Sequence, residues 1–375
     1  MKICKKTVMD RSDPDIIFDE NGISNHWHSH FKKLKKIHTD KEFRDKSLNE
    51  LVKKIKSNGK HKKYDCVIGL SGGIDSAYLC LLVNELGLKP LIVHFDNGWN
   101  SELAVKNIEN IISKFDLDLY TYVVDWKEFR DLQLSFLKAS TPDGEIPTDH
   151  GIIALLYEIA NKFNVKYILT GVNLSSESIL PLKWGYGYFD LKYIKDVQKK
   201  FGSKKFKTFP TLSLFKLFYY SKIKGIKSIP FLDYFDYNKE IAKRKLIEEI
   251  NWKDYGGKHL ESNYTKFFQT YILYKKFNID KRKAHLSNLI CSNQITREEA
   301  LKILDELPYD EKQINNEIKY VLNKFEISTD EFNEIMEKET KTFFDYRNNY
   351  FLFERLKSFN RFFQKKLNLK ILKLN

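Results

Sequence analysis

Six consecutive residues, Ser71-Gly72-Gly73-Ile74-Asp75-Ser76, carry the clearest chemistry in the chain. Just before them, Cys66-Val67-Ile68-Gly69-Leu70 reads as a buried strand. After them, Tyr78, Leu79, Leu82, Val83 and Leu86 recur at helical spacing, so a helix is expected over about 76–86. A strand, a glycine turn and a helix N-terminus aim a row of backbone N–H groups at one point. There the helix dipole also favours negative charge. The ligand this suits is a phosphate or pyrophosphate. An ordinary turn with a helix cap is the plainer reading, but two glycines flanked by serines directly after a buried strand are more specific than that. The stretch lacks the spacing and the Gly-Lys-Ser/Thr of a Walker A loop, and it is not the Gly-x-Gly-x-x-Gly of a dinucleotide fold.

The elements that must position this loop alternate along the chain. A strand over Pro90–Phe95 ends in Asp96-Asn97-Gly98-Trp99, a helix follows over 101–115, and a third strand spans Leu119–Val124. A helix over 126–138 leads to a loop through Thr141-Pro142-Asp143-Gly144 and Pro147-Thr148-Asp149-His150. A helix over 150–163 then precedes the strand Tyr167–Thr170, which ends in Gly171-Val172-Asn173. Strands alternating with helices imply an α/β fold built on a doubly wound parallel sheet. Such sheets bind ligands beyond the carboxyl ends of their strands. The polar ends Ser71–Ser76, Asp96–Trp99 and Gly171–Asn173 are therefore expected to converge on one nucleotide site.

Residues 183–232 are aromatic and basic, and read as an amphipathic helix with a last strand at Ile229-Pro230-Phe231-Leu232. Base stacking is the other use of such aromatics. From about 238 the chain is mainly helical, which divides it into 1–60, 61–248 and 249–375. The cluster Trp252–Ser262 reads as a functional loop, in which Lys258 would neutralise phosphate and His259 or Glu261 would move a proton. Near the start, a strand through His26-Trp27-His28-Ser29-His30 would align three histidines, with Cys4 as a further soft ligand. Polar surface is the other reading of that segment, and metal ligands are assigned to none of these residues.

A chain of 375 residues, 42% apolar and 14% aromatic, can bury a sizeable core in two or three domains. No run approaches the ~18 apolar residues of a membrane span. The first thirty residues do not resemble a signal peptide, so a cytoplasmic protein is expected. The net charge of +14 is spread as lysines along the whole chain, which points to a solvated surface rather than a nucleic-acid face. Cys4, Cys66, Cys80 and Cys291 are too widely spaced for a disulfide framework or a metal ribbon, and Cys66 and Cys80 are expected in the core.

Ser-Gly-Gly-Ile-Asp-Ser resembles the PP-loop of ATP pyrophosphatases, which cleave ATP between its α and β phosphates. Nearly the whole chain resembles the N-acetyl sugar amidotransferase family of bacterial surface-polysaccharide synthesis, a PP-loop branch. The likeness begins at Val8-Met9-Asp10, Ser12-Asp13-Pro14-Asp15 and Phe18-Asp19-Glu20-Asn21-Gly22. It continues through Leu70–Ser76, His94–Trp99, Pro147–His150 and Thr170–Asn173. Its most specific stretches are Asn251–Ser262, Asp280-Lys281-Arg282-Lys283-Ala284-His285-Leu286-Ser287, Ile290-Cys291-Ser292 and Gln294–Ala300.

The resemblance implies conversion of an acetamido group on a sugar or sugar nucleotide to acetamidino, with ATP and Mg²⁺ as cofactors. In that reading Leu70, Ser71, Gly72, Gly73, Asp75 and Ser76 hold the pyrophosphate, and Asp75 either caps the helix or orients Mg²⁺. His94, Asp96 and Asn97 line the adenosine pocket, with Thr170, Gly171 and Asn173 as its far wall. Asp75, Asp149, Lys258, His259 and Glu261 are the catalytic candidates, with His150 beside Asp149. Ammonia would come from a separate glutaminase paired with a cyclase-like subunit. The family usually begins with two Cys-x-x-Cys pairs, whereas here Cys4 is matched by Thr7, Ser24 and Trp27. Zinc is expected to be lost, leaving the segment held by packing or ligated by the histidines. Two rivals remain in view: a PP-loop tRNA-modifying enzyme and a non-catalytic ATP-binding scaffold.

Overall fold

A computed structural model describes residues 2–37, 41–256 and 261–367. Five strands form one sheet: β1 (Cys66–Gly69), β2 (Pro90–Asp96), β3 (Leu119–Val123), β4 (Tyr167–Thr170) and β5 (Lys227–Pro230). They lie in the order β3-β2-β1-β4-β5, and every neighbouring pair is parallel. The three inner strands are apolar and buried on both faces, as a parallel sheet covered on two sides requires. Alternate residues feed different cores. Val67, Leu91, Val93 and Ile168 join one cluster, whereas Cys66, Ile68, Ile92 and Leu169 join the other. The edge strands behave differently: β3 alternates between exposed and half-buried residues, and β5 ends at Pro230, which has no N–H to pair.

The second core is closed by α2 (Lys41–Gly59), α3 (Ile74–Glu85), α4 (Glu102–Phe115) and α10 (Lys239–Ile250). The run Leu79–Val83 of α3 is buried throughout, because α10 packs against this helix on the side away from the sheet. The first core is covered by α5 (Trp126–Lys138), α6 (Ile146–Lys162) and α8 (Leu191–Phe201). It also takes residues from α11 (Asn263–Phe267), α12 (Leu273–Phe277), α13 (Lys281–Cys291), α15 (Ile314–Phe325) and α16 (Thr329–Glu337). One apolar cluster thus runs from Met9 to Tyr346 and joins all three segments expected from the sequence. The short helices α7 (Leu174–Glu177) and α9 (Leu214–Phe218), with α14 (Arg297–Asp305) and α17 (Tyr350–Leu367), complete the set.

Several expectations need correction. Residues 26–30 lie in α1 (Asn25–Ile37) rather than a strand. The period that decides this is Trp27 to Phe31, one helical turn apart with ring centroids at 4.3 Å. His26 pairs with Asp13 at 2.6 Å, His28 with Asp19 at 2.8 Å, and His30 hydrogen-bonds Ser178. The helix expected from 150 begins at Ile146, because Pro147 sits in the first turn, where its missing N–H costs nothing. The last strand ends at Pro230, and Phe231–Tyr234 is a turn of 3₁₀ helix instead.

The N-terminal segment is held by packing and by α13 and α14. Cys4, Thr7 and Ser24 are buried together, with Ser24 N–H donating to Cys4 Sγ at 3.3 Å. Arg297 Nε donates to the carbonyls of Cys4 and Thr7 at 3.2 and 3.1 Å, and Ser287 Oγ accepts from Val8 N–H at 3.2 Å. Lys283 pairs with Asp10 at 2.6 Å.

Candidate active site

The loop after β1 lies beside the boundary between β1 and β4, where the chain direction of the sheet order reverses. Gly72 takes φ +82°, and a Cβ there would run into the Ala104 carbonyl, so only glycine fits. Its own carbonyl accepts from Trp252 Nε1 at 3.1 Å and from Asn107 Nδ2 at 3.4 Å. Gly73 is the N-cap of α3 and, as a glycine, has no side chain with which to cap it. The first-turn N–H groups therefore face the loop. Ser71 and Ser76 face each other with hydroxyls 3.3 Å apart, and Gly73 N–H donates to Ser71 Oγ at 3.2 Å. Gly171 brings the end of β4 onto this turn, since a Cβ there would lie 3.0 Å from the Asp75 carbonyl carbon.

Asp75 is not the helix cap. Its carboxylate instead accepts from the buried hydroxyl of Tyr237, a residue the sequence pattern did not single out. Burial and the Asp75 charge raise the Tyr237 phenol well above its ordinary value, so it stays a donor. Leu70 accepts at its carbonyl from His94 Nδ1 at 2.9 Å, and His94 Nε2 accepts from Asn100 at 3.1 Å. Both nitrogens of this buried ring are thus engaged, and His94 holds the start of the loop. Asp96 accepts from Gly98 N–H and Asn100, and Asn97 ties β2 to α6 by donating to Thr148 at 3.1 Å. Trp99, expected on the rim, lies in the core against Tyr264 and Phe325. Thr170 Oγ1 donates to the Ile229 carbonyl at 3.3 Å, and Asn173 is buried as the N-cap of α7.

A second group of polar residues continues from α7 toward α6 and α13. Asp149 is open on one side while protein surrounds it on the others. Burial, then the charges of Glu145 and Glu177, push its carboxyl up to about 7 against the opposing pull of Lys281. Lys281 pairs with Glu145 at 3.1 Å, and Gln269 donates to the same carboxylate at 2.6 Å. Glu177 also acts electrostatically on Tyr188, Asp233 and Tyr237. Burial, with Glu177, raises Asp233 to about 6 although Leu174 N–H donates to it. His150, expected at the substrate, is fully buried: Nδ1 donates to the Tyr188 carbonyl at 2.6 Å and Nε2 accepts from Leu212 N–H at 3.0 Å. Burial lowers its pKa, so it is a neutral structural ring.

Tyr255 and Glu261 of the Trp252–Ser262 segment lie against the loop. Tyr255 Oη accepts from Ile74 N–H at 3.2 Å, and Ser71 Oγ donates to Glu261 Oε1 at 3.4 Å. Lys258 and His259 lie outside the described residues. A cavity of about 160 Å³ opens beside the first turn of α3, lined by Ile74, Lys239, Lys243, Trp252, Asp254 and Tyr255.

Residues 261–360 match the family described as the LPS biosynthesis protein WbpG-like C-terminal domain. The chain is 25% identical over 285 residues to an uncharacterised protein of Methanocaldococcus jannaschii, covering 73% of this chain and 83% of that one. Among solved structures it is similar to NMN synthetase from Francisella tularensis, with 17% identity, 61% of this chain and 92% of that chain covered, and a TM-score of 0.29. It is also similar to NH3-dependent NAD synthetase from Campylobacter jejuni, with 19% identity, 55% and 83% covered, and a TM-score of 0.28. Likenesses at these TM-scores have no bearing on what the chain does.

Proposed function

We propose that the chain is an ATP-dependent amidotransferase of surface-polysaccharide synthesis that converts the acetamido group of a sugar or sugar nucleotide to acetamidino. The observation that carries this is the glycine turn into α3, with Ser71, Gly73 and Ser76 gathered at the end of a central parallel strand. The family match over 261–360 supports the polysaccharide setting.

An amide oxygen is a poor leaving group. The amide oxygen attacks the α-phosphorus of ATP, the α–β bond breaks, and pyrophosphate leaves. Ammonia then adds to the activated carbon, a proton is lost, and the C–O bond to AMP breaks. The loop N–H groups and the Ser71 and Ser76 hydroxyls hold the departing pyrophosphate as its charge develops. Mg²⁺ needs only one or two protein carboxylates beside phosphate oxygens, and Asp75, oriented by Tyr237, fits that need. Among the described residues no group of three or more His, Cys, Asp or Glu is arranged to hold a metal by itself. Asp149, with a pKa of about 7, takes or returns a proton near neutrality, and Lys281 lies on the same side of the cleft. Lys258 and His259 remain candidates for phosphate neutralisation and proton transfer. A separate glutaminase with a cyclase-like subunit would deliver the ammonia.

The test is mass spectrometry of N-acetylated sugar nucleotides incubated with the chain, ATP and ammonium. The expected product differs from its precursor by exchange of O for NH, with AMP and pyrophosphate formed in equal amounts. Asp75→Ala should abolish both products. Formation of ADP and phosphate, or full turnover by Asp75→Ala, would count against the mechanism.

A further inference from the structure

Two side chains from the Trp252–Ser262 segment lie against the same backbone atoms that the loop offers to phosphate. An atom placed at the Cβ position of Gly73 would be 2.8 Å from Glu261 Oε1 and 3.2 Å from Tyr255 Oη. Neither group is there by chance of a loose surface loop, because both ends of the segment are fixed. At one end Trp252 is buried, donates to the Gly72 carbonyl and precedes Lys253, whose N–H donates to Asn107 at 2.7 Å. At the other end Ser101 N–H donates to the Glu261 carbonyl at 2.9 Å, Asn100 bridges Ser262, and Asn263 N–H donates to the Trp99 carbonyl at 2.8 Å.

We infer that Tyr255 and Glu261 form the second wall of the pyrophosphate cradle, with Tyr255 a phosphate contact and Glu261 a built-in anion that pyrophosphate displaces. The inference rests on the proposed cleavage of ATP at the α–β bond. Burial and the neighbouring Glu261 raise the Tyr255 phenol, so it keeps a proton to donate to a phosphate oxygen. Glu261 carries the same sign of charge as the ligand, so the two compete for Ser71 and the Gly73 turn. In the adjoining cavity Lys239 and Lys243 are matched by Glu240 and Asp254, with Lys243 paired to Asp254.

The two residues should respond with opposite signs. Titration calorimetry of the full chain with inorganic pyrophosphate is expected to show about 10-fold weaker binding for Tyr255→Phe, the loss of one hydrogen bond to a charged group. Glu261→Gln should bind about 10-fold more tightly, and damage to the fold does not produce a gain in affinity. Weaker binding by Glu261→Gln, or unchanged binding by Tyr255→Phe, overturns the inference while leaving ATP cleavage standing if the wild type still forms pyrophosphate from ATP. A wild type that binds neither ATP nor pyrophosphate overturns both.

Discussion

Asp149 shows how a single carboxyl can be tuned by the protein packed around it and the charges of Glu145, Lys281 and Glu177. Its folded pKa of about 7 stands above the ordinary value near 4, so folding favours the protonated form. The stabilisation from that proton is full below the unfolded pKa and is lost as pH rises through about 7. Asp149→Asn should therefore melt like the wild type at about pH 3, below the unfolded pKa, and at a higher temperature than the wild type at about pH 8. It should also remove an inflection near pH 7 from the pH–rate profile, which a purely structural carboxyl would not contribute. The sequence singled out Asp149 and His150 together and could not tell them apart, because a buried neutral histidine and a reactive one have the same spelling. Tyr237 and Glu177 escaped notice for another reason. Tyr237 reaches Asp75 from 162 positions away, and no local pattern encodes such a meeting.

At the scale of elements, the strand–turn–helix unit around Gly72 is encoded locally and was readable except at the helix start, which lies at Ile74 rather than 76. An alanine at Gly72 would hold φ +82° against its preference and meet the Ala104 carbonyl. Gly72→Ala is expected to cost about 1–3 kcal/mol and to displace the loop. Urea unfolding and pyrophosphate release measure the two effects separately. The misread elements share one cause, since a short polar segment lacks a decisive period. The histidines at 26, 28 and 30 suggested alternation, while the packing of Trp27 on Phe31 set a helix. Pro147 read as a breaker although the first helical turn accepts it.

At the scale of the molecule, no helix among the described residues is long and apolar enough to cross a membrane. The same apolar cluster takes Phe136 from α5, Phe268 from beyond α11 and Phe325 from α15. Because the first core draws on all three segments, they should unfold in one transition. Melting followed by tryptophan fluorescence and by far-ultraviolet circular dichroism is expected to coincide, and two separated transitions would show that 249–375 folds apart. The grip of Arg297 on the carbonyl of Cys4 spans 293 positions, and that sets an order of events during synthesis. Cys4 and its neighbours must wait until Arg297 has left the ribosome before they find their partner.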